Sequence, residues 1–317
     1  MTSLAEWRKA GSFFEHKGHR IFWRESGNPA APALLLIHGF PTASWDWERL
    51  WPDLADRYHI LTLDMIGFGF SDKPYSYDYR IMDQADIYDE LLRMKAVRQY
   101  DVLAHDYGVS VAAELIARDS ESTARPKLLS VALLNGGLFP ETHRRVLIQS
   151  LLLSPLGLLV ALLTSKEGLS KNMRILFGVR YPPDQETLDG MWTLIKTNHG
   201  ERILHKLIHY ISDRIKHRER WVGAIQETDV PVKLINGMLD PVSGAHMVVR
   251  YRKLIPNANV TELPEAGHYP QVQMPRQVLQ AYLEFRGQIG EHLSTGLQSR
   301  PSIGVQDNGS GDRFRAN

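Results

Sequence analysis

The chain has 317 residues, 43% of them hydrophobic, with a formal net charge of +1 and no cysteine. That length allows one large α/β domain or two smaller ones. The near-neutral charge gives no reason to expect a nucleic-acid partner, and the lack of cysteine excludes disulfides, thiolate chemistry and cysteine-ligated metals.

Residues 1–11 are polar, without the apolar core of a secretory signal. Residues 20–24 alternate as a strand does, and 29–32 form a turn. Residues 33–37 are a continuous apolar run, the mark of a strand buried on both faces; it ends in His38-Gly39-Phe40-Pro41. A helix is expected over 44–57 with Ser44 as its N-cap. A strand follows at 59–63, then a loop over 64–74 that Asp64 anchors, then a helix over 82–97. A short strand leads into Ala104-His105-Asp106-Tyr107-Gly108, with a helix over 109–118 and a strand over 128–134. Buried strands alternating with helices imply an α/β fold with a mostly parallel sheet covered on both faces.

Residues 139–226 are helical in character with no clear strand, and strand signals return at 230–236 and 259–263. The expected organisation is a core of 1–138 and 227–293 with a helical cap, 139–226, over the carboxyl edge of the sheet. Open α/β sheets place their sites at that edge. Residues 294–317 have the composition of a disordered tail. The longest apolar run, 151–163, is interrupted by Ser154, Pro155 and Gly157 and is shorter than the roughly 20 residues of a membrane span. It reads as cap lining in preference to an interfacial helix. A cytoplasmic protein with no stable membrane insertion is expected. The basic run 214–220 reads as a solvated helix face.

Ala104 and Gly108 lie two positions either side of Asp106, between a strand and a helix. This is the pattern of a nucleophile elbow, with a carboxylate where a serine is usual. Such a carboxylate can attack a saturated carbon and form an alkyl ester. A nucleophile of this kind needs a base, and the base an orienting acid. His268 in Gly267-His268-Tyr269-Pro270 and Asp240 in Leu239-Asp240-Pro241 follow strands and point to one edge with Asp106. His268 would activate the water that hydrolyses the ester, and Asp240 would orient the imidazole. The backbone N–H groups of Phe40 and Tyr107 are the natural oxyanion donors. His38 and His105 read as structural hydrogen-bonders, and Trp45 and Trp47 as packing. Gly67-Phe68-Gly69 lacks the third glycine and the helix start of a dinucleotide fingerprint, so no cofactor is expected. No metal is expected either, since His205 and His209 are an isolated pair.

Taken in order, His38-Gly39-Phe40-Pro41, the loop 67–74, His105-Asp106-Tyr107-Gly108, Leu239-Asp240-Pro241 and Gly267-His268-Tyr269-Pro270 resemble the epoxide hydrolase and haloalkane dehalogenase branch of the α/β-hydrolase superfamily. The resemblance covers about residues 10–290. It implies the α/β-hydrolase fold and a small apolar electrophile as substrate. Dehalogenases hold the departing halide with side-chain N–H donors, one usually a Trp directly after the nucleophile; this chain has Tyr107 there and Phe40 at the other core position. Epoxide hydrolases commonly carry an aromatic residue after His-Gly, as Phe40 does, and use cap tyrosines to protonate the epoxide oxygen. Tyr210, then Tyr181, are the candidates. Epoxides therefore rank first and haloalkanes second. The competing class is a non-catalytic member that binds a lipid or a partner.

Overall fold

The computed structural model describes residues 2–298. Eight strands form one sheet: β1 (Ser12–His16), β2 (His19–Ser26), β3 (Ala33–Ile37), β4 (His59–Leu63), β5 (Gln99–His105), β6 (Lys127–Leu134), β7 (Val232–Gly237) and β8 (Asn259–Leu263), in the order β1-β2-β4-β3-β5-β6-β7-β8. The pairs β1/β2 and β2/β4 are antiparallel, and all others are parallel.

Helices cover both faces. Ahead of β6 lie α1 (Leu4–Lys9), α2 (Trp51–Ala55), α3 (Ile81–Met94) and α4 (Tyr107–Glu121). Between β6 and β7 come α5 (Leu147–Leu152), α6 (Gly157–Leu162), α7 (Lys166–Phe177), α8 (Gln185–Lys196), α9 (Leu204–Leu207), α10 (Tyr210–Lys216) and α11 (Arg218–Glu227). The chain closes with α12 (Ala245–Leu254), α13 (Pro270–Gln273) and α14 (Pro275–Gln298).

The pleat sends alternate side chains to opposite faces. Leu35 and Ile37 of β3 join a core with α3, α4 and α12, whereas Leu34 and Leu36 join a second core with Trp7, Trp51 and Tyr282. This is why β3 reads as an unbroken apolar run. The edge strand β1 is mostly exposed, and its sequence signal is correspondingly weak.

Two expectations need correction. Residues 44–57 are not one helix but a 3₁₀ turn, Ser44–Trp47, followed by α2. Ser44 caps nothing, because its N–H and its hydroxyl both donate to Asp64 Oδ1, at 2.9 and 2.6 Å. Asp64 Oδ2 accepts from Phe70 N at 2.7 Å and so ties down the glycine loop. In the segment assigned to a tail, α14 runs on through 294–298; residues 299–317 lie outside the described residues.

The carboxyl ends of the parallel strands share one edge. Phe40 follows β3, Asp106 follows β5, Asn135 follows β6, Asp240 follows β7 and His268 follows β8.

Candidate active site

Asp106 has φ +47° and ψ −106°, a conformation that a residue with a Cβ adopts only when its surroundings impose it. Two glycines make room. A Cβ on Gly108 would lie 2.6 Å from Ile37 O, and one on Gly39 would lie 2.9 Å from Asp106 Cβ. The elbow is thus pressed against the His-Gly turn. His38 fixes that turn: its Nε2 accepts from Met65 N at 3.1 Å and its Nδ1 donates to Gly39 O at 2.9 Å. Burial, outweighing the contacts that favour its cation, lowers the His38 pKa to about 4, so the ring is neutral.

Phe40 N donates to Asp106 Oδ2 at 3.0 Å. Tyr107 opens α4, and the first four N–H groups of a helix have no partner within it. The helix dipole favours negative charge at this end. The other carboxylate oxygen, Oδ1, lies 3.8 Å from His268 Nε2, beyond direct hydrogen bonding.

On its far side, His268 Nδ1 donates to Asp240 Oδ2 at 2.8 Å. That oxygen also accepts from Ser243 Oγ at 2.6 Å and Asn135 Nδ2 at 3.0 Å, while Val242 N donates to Oδ1 at 2.8 Å. Burial pushes the Asp240 pKa up, but the His268 charge and these hydrogen bonds outweigh it and hold the carboxyl well below its usual range. The His268 pKa is raised: burial lowers it, and the Asp240 carboxylate, with Asp106 beside it, more than offsets that. Asn135 is a further site residue; it is neutral at a position that faces the acid and serves to fix it. His105 Nε2 donates to His268 O at 2.7 Å and so holds the histidine loop from below.

Over this group lies an apolar cavity of about 300 Å³. Phe40, Asp106 and His268 line its floor, and Leu152, Val160, Leu169 and Met173 line its walls. Neither tyrosine expected to face it does so. Tyr181 is not a lining residue, and its hydroxyl donates to Glu265 Oε2 at 3.1 Å. Tyr210 sits fully buried just beneath, its ring 5.9 Å from Phe40 and 5.0 Å from Tyr107, with a hydroxyl that has no partner among the described residues. The Tyr107 side chain is also buried away from the cavity, against Phe68 and Tyr210.

The basic run is a solvated face only in part: Lys216 and Glu219 are exposed, but the arginines are engaged. Arg218 makes a two-pronged bond to Glu141, and Arg220 pairs with Glu114 and Glu121. Arg214 is buried, donating to the backbone O of Asp106 at 2.7 Å and to Ser110 Oγ at 2.6 Å. Its Nη1 has no partner among the described residues. A cation of the insertion thus grips the elbow itself. The signal was the one-turn spacing from Tyr210, which puts both on one helix face.

A family model described as alpha/beta hydrolase fold matches residues 32–275. The chain belongs to this family. The hydrolase is 40% identical over 294 residues to the mesoderm-specific transcript protein of Mus musculus, covering 89% of this chain and 88% of that one. It is 36% identical over 281 residues to the putative hydrolase LipZ of Mycobacterium tuberculosis, covering 89% and 97%. A haloalkane dehalogenase variant from Bradyrhizobium elkanii superposes with a TM-score of 0.71 at 20% identity, covering 92% and 99% of the two chains. Among the described residues, no helix is long and apolar enough to cross a membrane.

Proposed function

We propose that this hydrolase opens small apolar epoxides through an ester on Asp106. The observation that carries the reading is a carboxylate at a strained elbow, with Oδ2 on a backbone donor and Oδ1 open toward His268 and an apolar cavity. Oδ1 attacks an epoxide carbon, and the C–O bond of the ring breaks. The departing oxygen takes a proton from Tyr210, whose ring packs beneath Phe40 and whose hydroxyl, without a partner among the described residues, reaches the cavity by a turn of the side chain at the floor. Water then attacks the Asp106 carboxyl carbon as His268 removes its proton. The oxyanion forms at Oδ2, where Phe40 N already donates, with Tyr107 N at the start of α4 as the second donor. Collapse releases a diol and the carboxylate, and the proton held by His268 restores the phenol.

Haloalkanes rank second. A halide needs N–H donors in the cavity, and the side chains of Phe40 and Tyr107 offer none.

A single turnover in oxygen-18 water tests the route. Label is expected on the peptide containing Asp106, and the first diol should carry unlabelled oxygen from the protein. Label found wholly in the first product would mean direct attack by water. Within the same assay, Tyr210→Phe should slow epoxide opening by about 10²-fold, the scale for losing a general acid. Tyr181→Phe should leave it unchanged.

A further inference from the structure

Most of the exposed large apolar side chains of the described residues fall in one stretch of the insertion, between Leu147 and Val179. Leu147 and Leu151 are one turn apart on α5; Leu158 and Leu162, with Leu159 and Leu163, repeat that spacing along and just past α6. These helices therefore turn one apolar face inward and another outward. Leu163 belongs to both: it is 72% exposed and also lines the cavity over Asp106. The outer apolar surface thus runs into the cavity at its mouth.

The segment that carries this surface is basic. Residues 142–183 contain six Lys and Arg against the single acid Glu167. Lys166 and Arg180 are paired with Asp189 and Glu265. Among the described residues, Arg144, Arg145, Lys171 and Arg174 make no ion pair, and all four are exposed. Protein-binding patches are rich in Tyr, Trp and Phe. The only aromatic residue from 144 to 180 is Phe177, which is buried. An exposed leucine face with unpaired cations just ahead of α5 and on α7 matches a lipid surface with anionic headgroups.

We infer that the α5–α6 face docks on an anionic lipid bilayer, with the mouth at Leu163 directed into the acyl layer. The docked protein would draw an apolar substrate from the membrane without passing it through water. Delivery to Asp106 rests on the function proposed above; the docking does not.

Co-sedimentation of the full chain with phosphatidylcholine vesicles, with and without about one third phosphatidylserine, tests the docking. Binding is expected with phosphatidylserine, and it should weaken at high salt. The pair Leu159→Ser/Leu162→Ser should lower vesicle partitioning by at least about tenfold while keeping the thermal midpoint, because both side chains are exposed in the fold. Lys171→Glu/Arg174→Glu should remove the preference for phosphatidylserine. Asp106→Asn should bind vesicles like wild type even though turnover ends, which separates a failure of docking from a failure of the catalytic reading. Absence of wild-type binding, or full binding by the leucine pair, would overturn the proposal. So would a wild-type dimer, seen by sedimentation velocity, that the leucine pair converts to a monomer, for then the face joins two copies.

Discussion

At Asp106, the proposed nucleophile and backbone strain meet in one residue. The positive φ is imposed by the bond from Asp106 N to Leu134 O, by the close approach of Gly39 and Gly108, and by Arg214 on the carbonyl. Loss of that guanidinium frees a buried carbonyl, at about 1.5–3 kcal/mol for a charged hydrogen bond. Arg214→Met should therefore reduce kcat by about 10- to 100-fold, with partial rescue in Arg214→Lys. A fall in stability with kcat intact would show the residue to be purely structural. His268 offers a second test. Ester hydrolysis needs the neutral imidazole, so its rate should rise with pH through the His268 pKa. Burial lowers that value, and Asp240, with Asp106, raises it beyond its usual range. Asp240→Asn removes the main raising influence, so the midpoint of the single-turnover profile should move to lower pH. An unmoved midpoint would assign the titration to another group. The elbow, the acid and the histidine were legible because each needs a fixed residue type beside glycine or proline after an apolar strand. Arg214 was not, since its one sequence signal, the one-turn spacing from Tyr210, does not tell a buried cation from a solvated one.

Among the elements, the buried parallel strands read clearly, β3 and β4 to the residue, as did the less buried β8. Their apolar runs answer to cover on both faces, which is a local property of the sequence. What failed depended on distant partners. Ser44 looks like a cap, and only the presence of Asp64 twenty residues on diverts it. Tyr181 looks like a cap phenol, and only the histidine loop explains its bond to Glu265. The same loop makes the tightest junction between sheet and insertion. His268 N donates to Leu176 O at 2.9 Å, and Gln273 Nε2 donates to Phe177 O at 2.7 Å. A Cβ on Gly267 would stand 2.4 Å from Leu176 O and 2.6 Å from Phe177 O. These are backbone atoms and cannot rotate aside. Gly267→Ala should cost about 1–3 kcal/mol, the range for overpacking, read from urea unfolding. A midpoint equal to wild type would mean that α7 yields at this junction.

For the molecule as a whole, pH acts on stability through buried carboxylates shifted in both directions, Asp46 and Asp240 among them. Burial, against the Thr42 hydrogen bond, pushes the Asp46 pKa from 3.8 up to about 8. The folded state then binds the proton more tightly than the unfolded chain. This contribution is greatest below about pH 4 and declines as pH rises toward 8. Asp240 works the other way: its lowered pKa gives stability at neutral pH that is lost as acid protonates it. Asp46→Asn should flatten the alkaline side of a Tm-against-pH curve, gaining on wild type as pH rises through the interval. Parallel curves would remove Asp46 as the cause. The bonds from Arg214 to the elbow and from Leu176 to the histidine loop also bear on how such a protein can be rebuilt. The insertion is not an interchangeable module. A graft from another family member must bring its own counterpart of Arg214 and of the end of α7, or it withdraws the supports of nucleophile and base together. New specificity is most freely written into α5 and α6, which hold neither.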